Sequence, residues 1–254
     1  MDYALPPLFA LFVWWFGTGV VMLLDGLPRG TYRLSQGIST LIALAALVCI
    51  ARSAHNDSVA GAYGAFTCAV LVWGWHELAF LTGWLTGPRK LACSAPAHEA
   101  TRFREAVQAI LWHELAIVAM GVLIAALTWG GSNQVATWTF ALLWVMRLSA
   151  KLNLFLGVRN RGEEFLPPHL RYLGSYFRDR PINALLPLSL VAGGAVAAAL
   201  VVAAIDGSAA SRVGLLLVAS MLGLALLEHL LMVTPLSATA LWRWAMRSPT
   251  PSAP

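Results

Sequence analysis

Seven stretches of the chain, residues 8–24, 34–51, 59–85, 106–128, 135–157, 182–205 and 213–234, are apolar over close to the length that crosses a bilayer. A hydrocarbon core about 30 Å thick takes about 20 helical residues. In lipid, each such segment must satisfy its own backbone polar groups, so each reads as an α-helix. The second stretch is the shortest usable one, and the third is long enough to tilt or to begin outside the bilayer. Breakers and charges mark their ends, as at Asp25-Gly26, His55-Asn56-Asp57, Gly87-Pro88, Gly130-Gly131 and Asp206-Gly207. The connections leave no room for a second, soluble domain. The predicted architecture is an all-α polytopic membrane bundle of about seven transmembrane helices, one domain over 1–247, with a disordered tail at 248–254.

Composition agrees. Charged residues make up 11% of the chain and hydrophobic ones 59%, where a soluble domain carries roughly 25% charged. This argues against a soluble globular protein, a disordered tail and a nucleic-acid arm. The net charge of +5 comes from loops rather than from one basic face, so no nucleic-acid partner is expected. Asp2, the lack of Lys or Arg before the first span and the absence of a small-residue cleavage pattern predict a retained helix rather than a signal peptide.

Orientation follows from the loop cations. Arg29, Arg33, Arg89, Lys90, Arg102, Arg104, Arg159, Arg161, Arg171, Arg178, Arg180, Arg243 and Arg247 fall on one side, and only Arg52 and Arg212 on the other. That bias predicts the N-terminus outside and the C-terminus in the cytoplasm. Trp129 and Trp138 then lie at the outer interface, with Trp84, Trp242 and Trp244 at the inner one. Cys49, Cys68 and Cys93 are too few and scattered for a disulfide framework. The first two read as small core residues, and Cys93 sits in a cytoplasmic loop. Gly193-Gly194 reads as a site of close helix packing.

Five formal charges enter the spans: Glu77, Glu114, Arg147, Lys151 and Glu228. Each costs roughly 2.5–3.5 kcal/mol at a helix centre on the lenient insertion scale, so each must face protein or water. By helical rise, Glu77 and Glu114 lie roughly 12 Å from the cytoplasmic ends of their helices, Arg147 roughly 15 Å, and Lys151 and Glu228 roughly 9 Å. Four helices thus bring five charges to similar levels. Every acid has a histidine beside it: His76-Glu77, His113-Glu114 and Glu228-His229. The first two sit in the same pentapeptide, Trp75-His76-Glu77-Leu78-Ala79 and Trp112-His113-Glu114-Leu115-Ala116. Neighbouring helical residues point about 100° apart, so each His-Glu pair divides its side chains between the bundle centre and a neighbouring helix. Arg147 and Lys151, four apart, share a face, and Trp144 is placed to stack on Arg147.

The residues leave three readings open. One is an ion-pair and hydrogen-bond network that joins helices. Another is a metal or tetrapyrrole site, with His76, His113, Glu77 and Glu114 as candidate ligands. Di-iron bundles use such residues, and a single His can ligate haem iron or a chlorophyll magnesium. The Glu-x-x-His spacing of di-iron bundles is absent, however, and nearby Arg and Lys oppose a cation. The third is a proton or ion path, against which stands the lack of polar residues in the outer half.

The loop 158–181 carries Glu163, Glu164, His169 and Arg171. Leu166, Leu170, Leu173 and Phe177 follow helical spacing and predict an amphipathic helix near 166–178 on the inner membrane surface. It reads either as a lipid anchor or as a partner-docking surface or lid, with Glu163 and Glu164 reaching back toward Arg147 or Lys151. Loop 87–104 reads as basic and flexible, with a solvated His98. No phosphate-cradling glycine loop, zinc-protease helix, nucleophile elbow or His-rich box is present.

Leu127-Thr128-Trp129-Gly130-Gly131-Ser132-Asn133-Gln134-Val135 resembles the PuhE family of purple phototrophic bacteria. So do Arg147-Leu148-Ser149-Ala150-Lys151-Leu152-Asn153, Gly157-Val158-Arg159-Asn160, Glu163-Glu164-Phe165-Leu166-Pro167 and His169-Leu170-Arg171-Tyr172-Leu173. Trp14-Trp15-Phe16, Leu24-Asp25-Gly26-Leu27-Pro28 and Glu228-His229 extend the resemblance over nearly the whole chain. These proteins are proposed photosynthetic complex assembly proteins. The resemblance implies a multipass protein of the bacterial inner membrane, connected with reaction-centre and core-antenna assembly or with bacteriochlorophyll supply. Expected partners are reaction-centre or core-antenna subunits, pigment-synthesis proteins and membrane lipid. The cofactors to consider are bacteriochlorophyll or its precursor, haem, or iron. The alternative is a di-iron-like oxidoreductase acting on a tetrapyrrole or isoprenoid, and a transporter is a third class. The expected centre comprises His76, Glu77, His113, Glu114, Arg147, Lys151, Glu228 and His229.

Overall fold

A computed structural model describes residues 3–94 and 98–234 together with Trp242, Trp244 and Ala245. The expected tail at 248–254, and Arg243 and Arg247, lie outside the described residues. Among those described, seven helices are long and apolar enough to cross a membrane. They are α1 (Leu5–Asp25), α2 (Tyr32–Ser53), α3 (Val59–Leu81), α4 (Glu99–Leu127), α5 (Val135–Leu156), α6 (Leu185–Asp206) and α7 (Ala209–Leu231). The ends of α1 to α6 that adjoin Arg29, Arg33, Arg89, Arg102, Arg159 and Arg180 lie on one side with the C-terminal end of α7, which meets Asn160, and this is here called the basic side.

Helix α3 is the centre of the bundle and touches α1, α2, α5 and α7, while α7 touches α1, α3, α5 and α6. Lipid tails are as apolar as leucine, so close van der Waals contact must hold these helices together. Small side chains permit that approach: Ala62, Ala65, Ala69 and Ala79 on α3 are all buried. Of the expected glycine pair, Gly193 makes a close contact, since a Cβ there would stand 2.7 Å from Leu226, whereas Gly194 faces open space. One apolar cluster joins α2 to α5 through Ile50, Val72, Ile117 and Phe140. A second joins α1, α3 and α7 through Ala10, Phe66, Leu217 and Met221. At the arginine-poor end, Ser58 caps α3 by accepting from the Gly61 amide at 3.0 Å. There the Asn133 amide donates to the Ala54 carbonyl at 2.9 Å, tying the α4–α5 turn to the end of α2.

The basic side departs from expectation in two places. Helix α4 starts at Glu99, seven residues before the apolar stretch, because its polar first turns are buried against loops. Arg102 donates to the carbonyls of Tyr176 and Phe155, each at 2.8 Å. Glu105 accepts from the Ser94 hydroxyl at 2.7 Å and pairs with Arg89 at 3.2 Å. Loop 87–104 is therefore pinned over its described part, while His98 is exposed as expected.

The second departure is the segment expected as an amphipathic helix on the membrane surface. It is a 3-10 helix, Pro168–Tyr176, after a separate 3-10 turn, Glu163–Phe165. Three residues per turn put Leu170, Leu173 and Tyr176 on one face. That face is buried against Phe80 of α3 and Ala109 of α4. Phe177, expected on the apolar face, lies beyond the helix end.

Candidate functional site

Glu77 on α3, Glu114 on α4, Arg147 and Lys151 on α5 and Glu228 on α7 meet in one electrostatic network, in which Arg147 feels all three acids. Arg147 Nη2 donates to Glu77 Oε2 at 3.1 Å, and Lys151 Nζ donates to Glu114 Oε1 at 2.5 Å. The shared face of α5 thus divides its cations between two neighbours. Trp144 does not stack on Arg147. Its indole donates to Glu114 Oε2 at 3.3 Å, so Glu114 holds an indole and an ammonium together. Glu228 accepts from the Trp14 indole of α1 at 2.9 Å. Among the described residues it has no cation within ion-pair distance, although Arg147 acts on it. Three acids against two cations leave the network with a formal charge of −1 when all are ionised.

The histidines take the other direction of each pair, and all three are buried. His229 Nδ1 lies 2.8 Å from the Ala225 carbonyl and Nε2 lies 2.9 Å from the Ser149 hydroxyl. A carbonyl only accepts, so Nδ1 carries the proton, and in the neutral ring Nε2 accepts from Ser149. His76 and His113 differ, because neither ring has a protein partner at either nitrogen. Trp75 and Phe140 flank His76, and Phe80 lies against His113. Buried polar groups without a partner cost roughly 1–3 kcal/mol each and call for a reason.

Burial divides the site. The Glu77 side chain is 13% exposed, whereas that of Arg147, its partner, is 41% exposed. Arg147 stands nine residues from the end of α5, about 14 Å into the membrane. A guanidinium at that depth with so much surface uncovered by protein stands at the edge of the charge cluster rather than inside it.

Among the described residues no three His, Cys, Asp or Glu side chains are grouped to hold a metal. Glu77 and Glu114 each meet a cation, as the sequence pattern warned. The His76 and His113 rings are both enclosed by protein, so neither presents a nitrogen to a surface where a tetrapyrrole could dock. In the other loop, Glu163 pairs with Arg161 at 2.9 Å rather than with the buried cations, and Glu164 and Arg171 are exposed. His169 is turned inward instead, beside the Tyr32 ring.

Sequence reading missed Thr86 and Gly87. The His113 amide donates to the Thr86 carbonyl at 2.9 Å. A Cβ on Gly87 would stand 2.0 Å from the Gln108 carbonyl oxygen. The loop after α3 therefore lies against the α4 backbone beside the site. The Gly87-Pro88 dipeptide was the visible signal, though it read only as a helix end.

These features define a seven-helix polytopic membrane protein with an ion-pair cluster inside its apolar thickness. Residues 1–253 match the family described as a protein of unknown function, DUF3623, and the chain belongs to that family. It is 39% identical over 251 residues to a Rhodobacter capsulatus protein described as an uncharacterized 30.4 kDa protein in the puhA 5' region. The match covers 96% of this chain and 91% of that protein. No solved structure matches the chain.

Proposed function

We propose that the chain is a membrane factor for assembly of the photosynthetic reaction centre and core antenna, or for bacteriochlorophyll supply to them, acting through the charge cluster around Arg147. The observation that carries the site is the Arg147–Glu77 pair within the apolar thickness, whose guanidinium side chain is 41% exposed. The full-length likeness to a protein named for the puhA 5' region supports the process, as does the resemblance of the 129–177 stretch to PuhE proteins. A partly exposed guanidinium in low-dielectric surroundings attracts a carbonyl or carboxylate carried by a pigment or a partner helix. Helix α4, which buries little of its apolar stretch, is the wall that moves, and the Lys151–Glu114 pair is its inner catch. His76 lies behind that wall and His113 is carried on it, and both gain partners when it opens. The oxidoreductase alternative needs carboxylates free for metal, and here both are ion-paired.

The test is complementation of a strain lacking the gene. Membranes are compared by near-infrared absorption of reaction centre and core antenna at equal cell mass. Loss of the chain lowers that absorption, and the wild-type gene restores it. Arg147→Gln, present at normal abundance, restores less than half. Unchanged absorption in the deletion strain overturns the assignment.

A further inference from the structure

A second site, separate from the charge cluster, opens on the basic side between the start of α2, the end of α3 and the 3-10 helix. It is a cavity of about 240 Å³ lined by Arg29, Tyr32, Thr86, Lys90, His169 and Tyr172 among others, with no acid in its wall. Arg89, Arg102, Arg161 and Arg178 on this side each hold a carboxylate. Arg29 and Lys90 hold none among the described residues. Three further polar atoms in the wall have little or no call on them: His169 Nε2 lacks a protein partner, and the Thr86 and Tyr172 hydroxyls interact only loosely with each other. Thr86 is only 3% exposed, so its hydroxyl is not spent on bulk water.

We propose that this cavity binds a phosphate group at the membrane surface, with Arg29 and Lys90 supplying charge, Thr86 and Tyr172 supplying hydroxyl donors, and His169 Nε2 donating from the protonated ring. Charge and donors from five residues on three segments suit the three terminal oxygens of a phosphate better than the two of a carboxylate. The level fits as well, because Arg29 and Thr86 lie just beyond the apolar parts of α2 and α3 and Trp84 is exposed beside them, where headgroups and interfacial aromatics sit. Burial holds the His169 imidazole below its ordinary value, and the charges of Arg29 and Lys90 add to the effect. An arriving anion relieves that repulsion. Gly83, at φ +80°, brings the backbone against the His169 ring, since a Cβ there would lie 3.1 Å from Cδ2. The ring is thereby kept at the cavity wall.

The test uses the full chain in an uncharged detergent at fixed ionic strength, with thermal unfolding followed by tryptophan fluorescence. Inorganic phosphate and phosphatidic acid are titrated separately, with phosphatidylcholine as the neutral lipid. The expected result is a saturable rise in Tm with one or both phosphate ligands and none with phosphatidylcholine. Apparent affinity falls at least tenfold in Lys90→Ala, an exposed position whose change leaves the fold intact, and in Thr86→Val, which keeps the shape. Responses to both ligands support a general phosphate site. A response to phosphatidic acid alone assigns it to a lipid headgroup, and one to inorganic phosphate alone to a soluble phosphate ester. No saturable shift with either ligand, or equal shifts in wild type and both variants, overturns the proposal.

Discussion

At the residue scale, the sequence exposes which side chains are costly but not which of them pair. An acid within an apolar span stands out because lipid offers it no partner, so Glu77, Glu114, Arg147, Lys151 and Glu228 could be selected from composition and depth alone. Their pairing depends on helix rotation, to which a residue list is blind. Hence Trp144 was assigned to Arg147 and is found on Glu114. The pairing has an energetic consequence. Lys151 and Glu114 are 17% and 19% exposed, and removing one partner leaves the other charge buried and unanswered. We expect Glu114→Gln and Lys151→Met each to cost roughly 3 kcal/mol, with the double variant recovering much of the loss. Denaturant titration of the four proteins in detergent checks this, and additive losses would show that the contact contributes nothing. Arg147→Gln should cost less, since its guanidinium is already partly open.

At the element scale, the seven spans were legible because bilayer thickness imposes one length on them all. The polar start of α4 and the 3-10 helix were not. Both owe their form to contacts between distant segments, such as Arg102 with Tyr176 and Phe155. The leucines of segment 166–178 match a four-residue step as well as a three-residue one. Only packing against Phe80 and Ala109 selects Leu170, Leu173 and Tyr176. A bundle-packed segment and a surface anchor differ in accessibility. With a water-soluble maleimide, Arg171→Cys should label quickly and Leu173→Cys at least tenfold more slowly. The native Cys93 adds little background, because burial raises its thiol above the ordinary value and Glu105 adds to the shift. Equal labelling rates would favour the surface anchor. The contact of loop and α4 at Gly87 makes a second prediction. Gly87→Ala forces a Cβ into the Gln108 carbonyl and should destabilise by roughly 1–3 kcal/mol. Gly64→Ala, facing open space in α3, should be neutral or stabilising, and a thermal-unfolding comparison separates the two.

At the scale of the whole molecule, the same scarcity of charge that identifies the spans predicts the orientation, since the sequence between the spans assigns thirteen cations to one side and two to the other. Reporter fusions that are active only outside the cell should work at the N-terminus and fail at the C-terminus, and the reverse pattern would invert both sites. The phosphate cavity was not legible at this scale, because its residues come from three segments that only the folded bundle brings together. The charge cluster was legible as a level in the membrane, and the structure adds the pairing of Arg147 with Glu77 and of Lys151 with Glu114. The most direct test of that account is to isolate the tagged chain from phototrophically grown membranes and measure what absorbs and what accompanies it. The account predicts bacteriochlorophyll-type absorption or reaction-centre and core-antenna subunits with the wild-type chain, reduced at least fivefold in Arg147→Gln at equal yield. A colourless wild-type protein free of those subunits would contradict it.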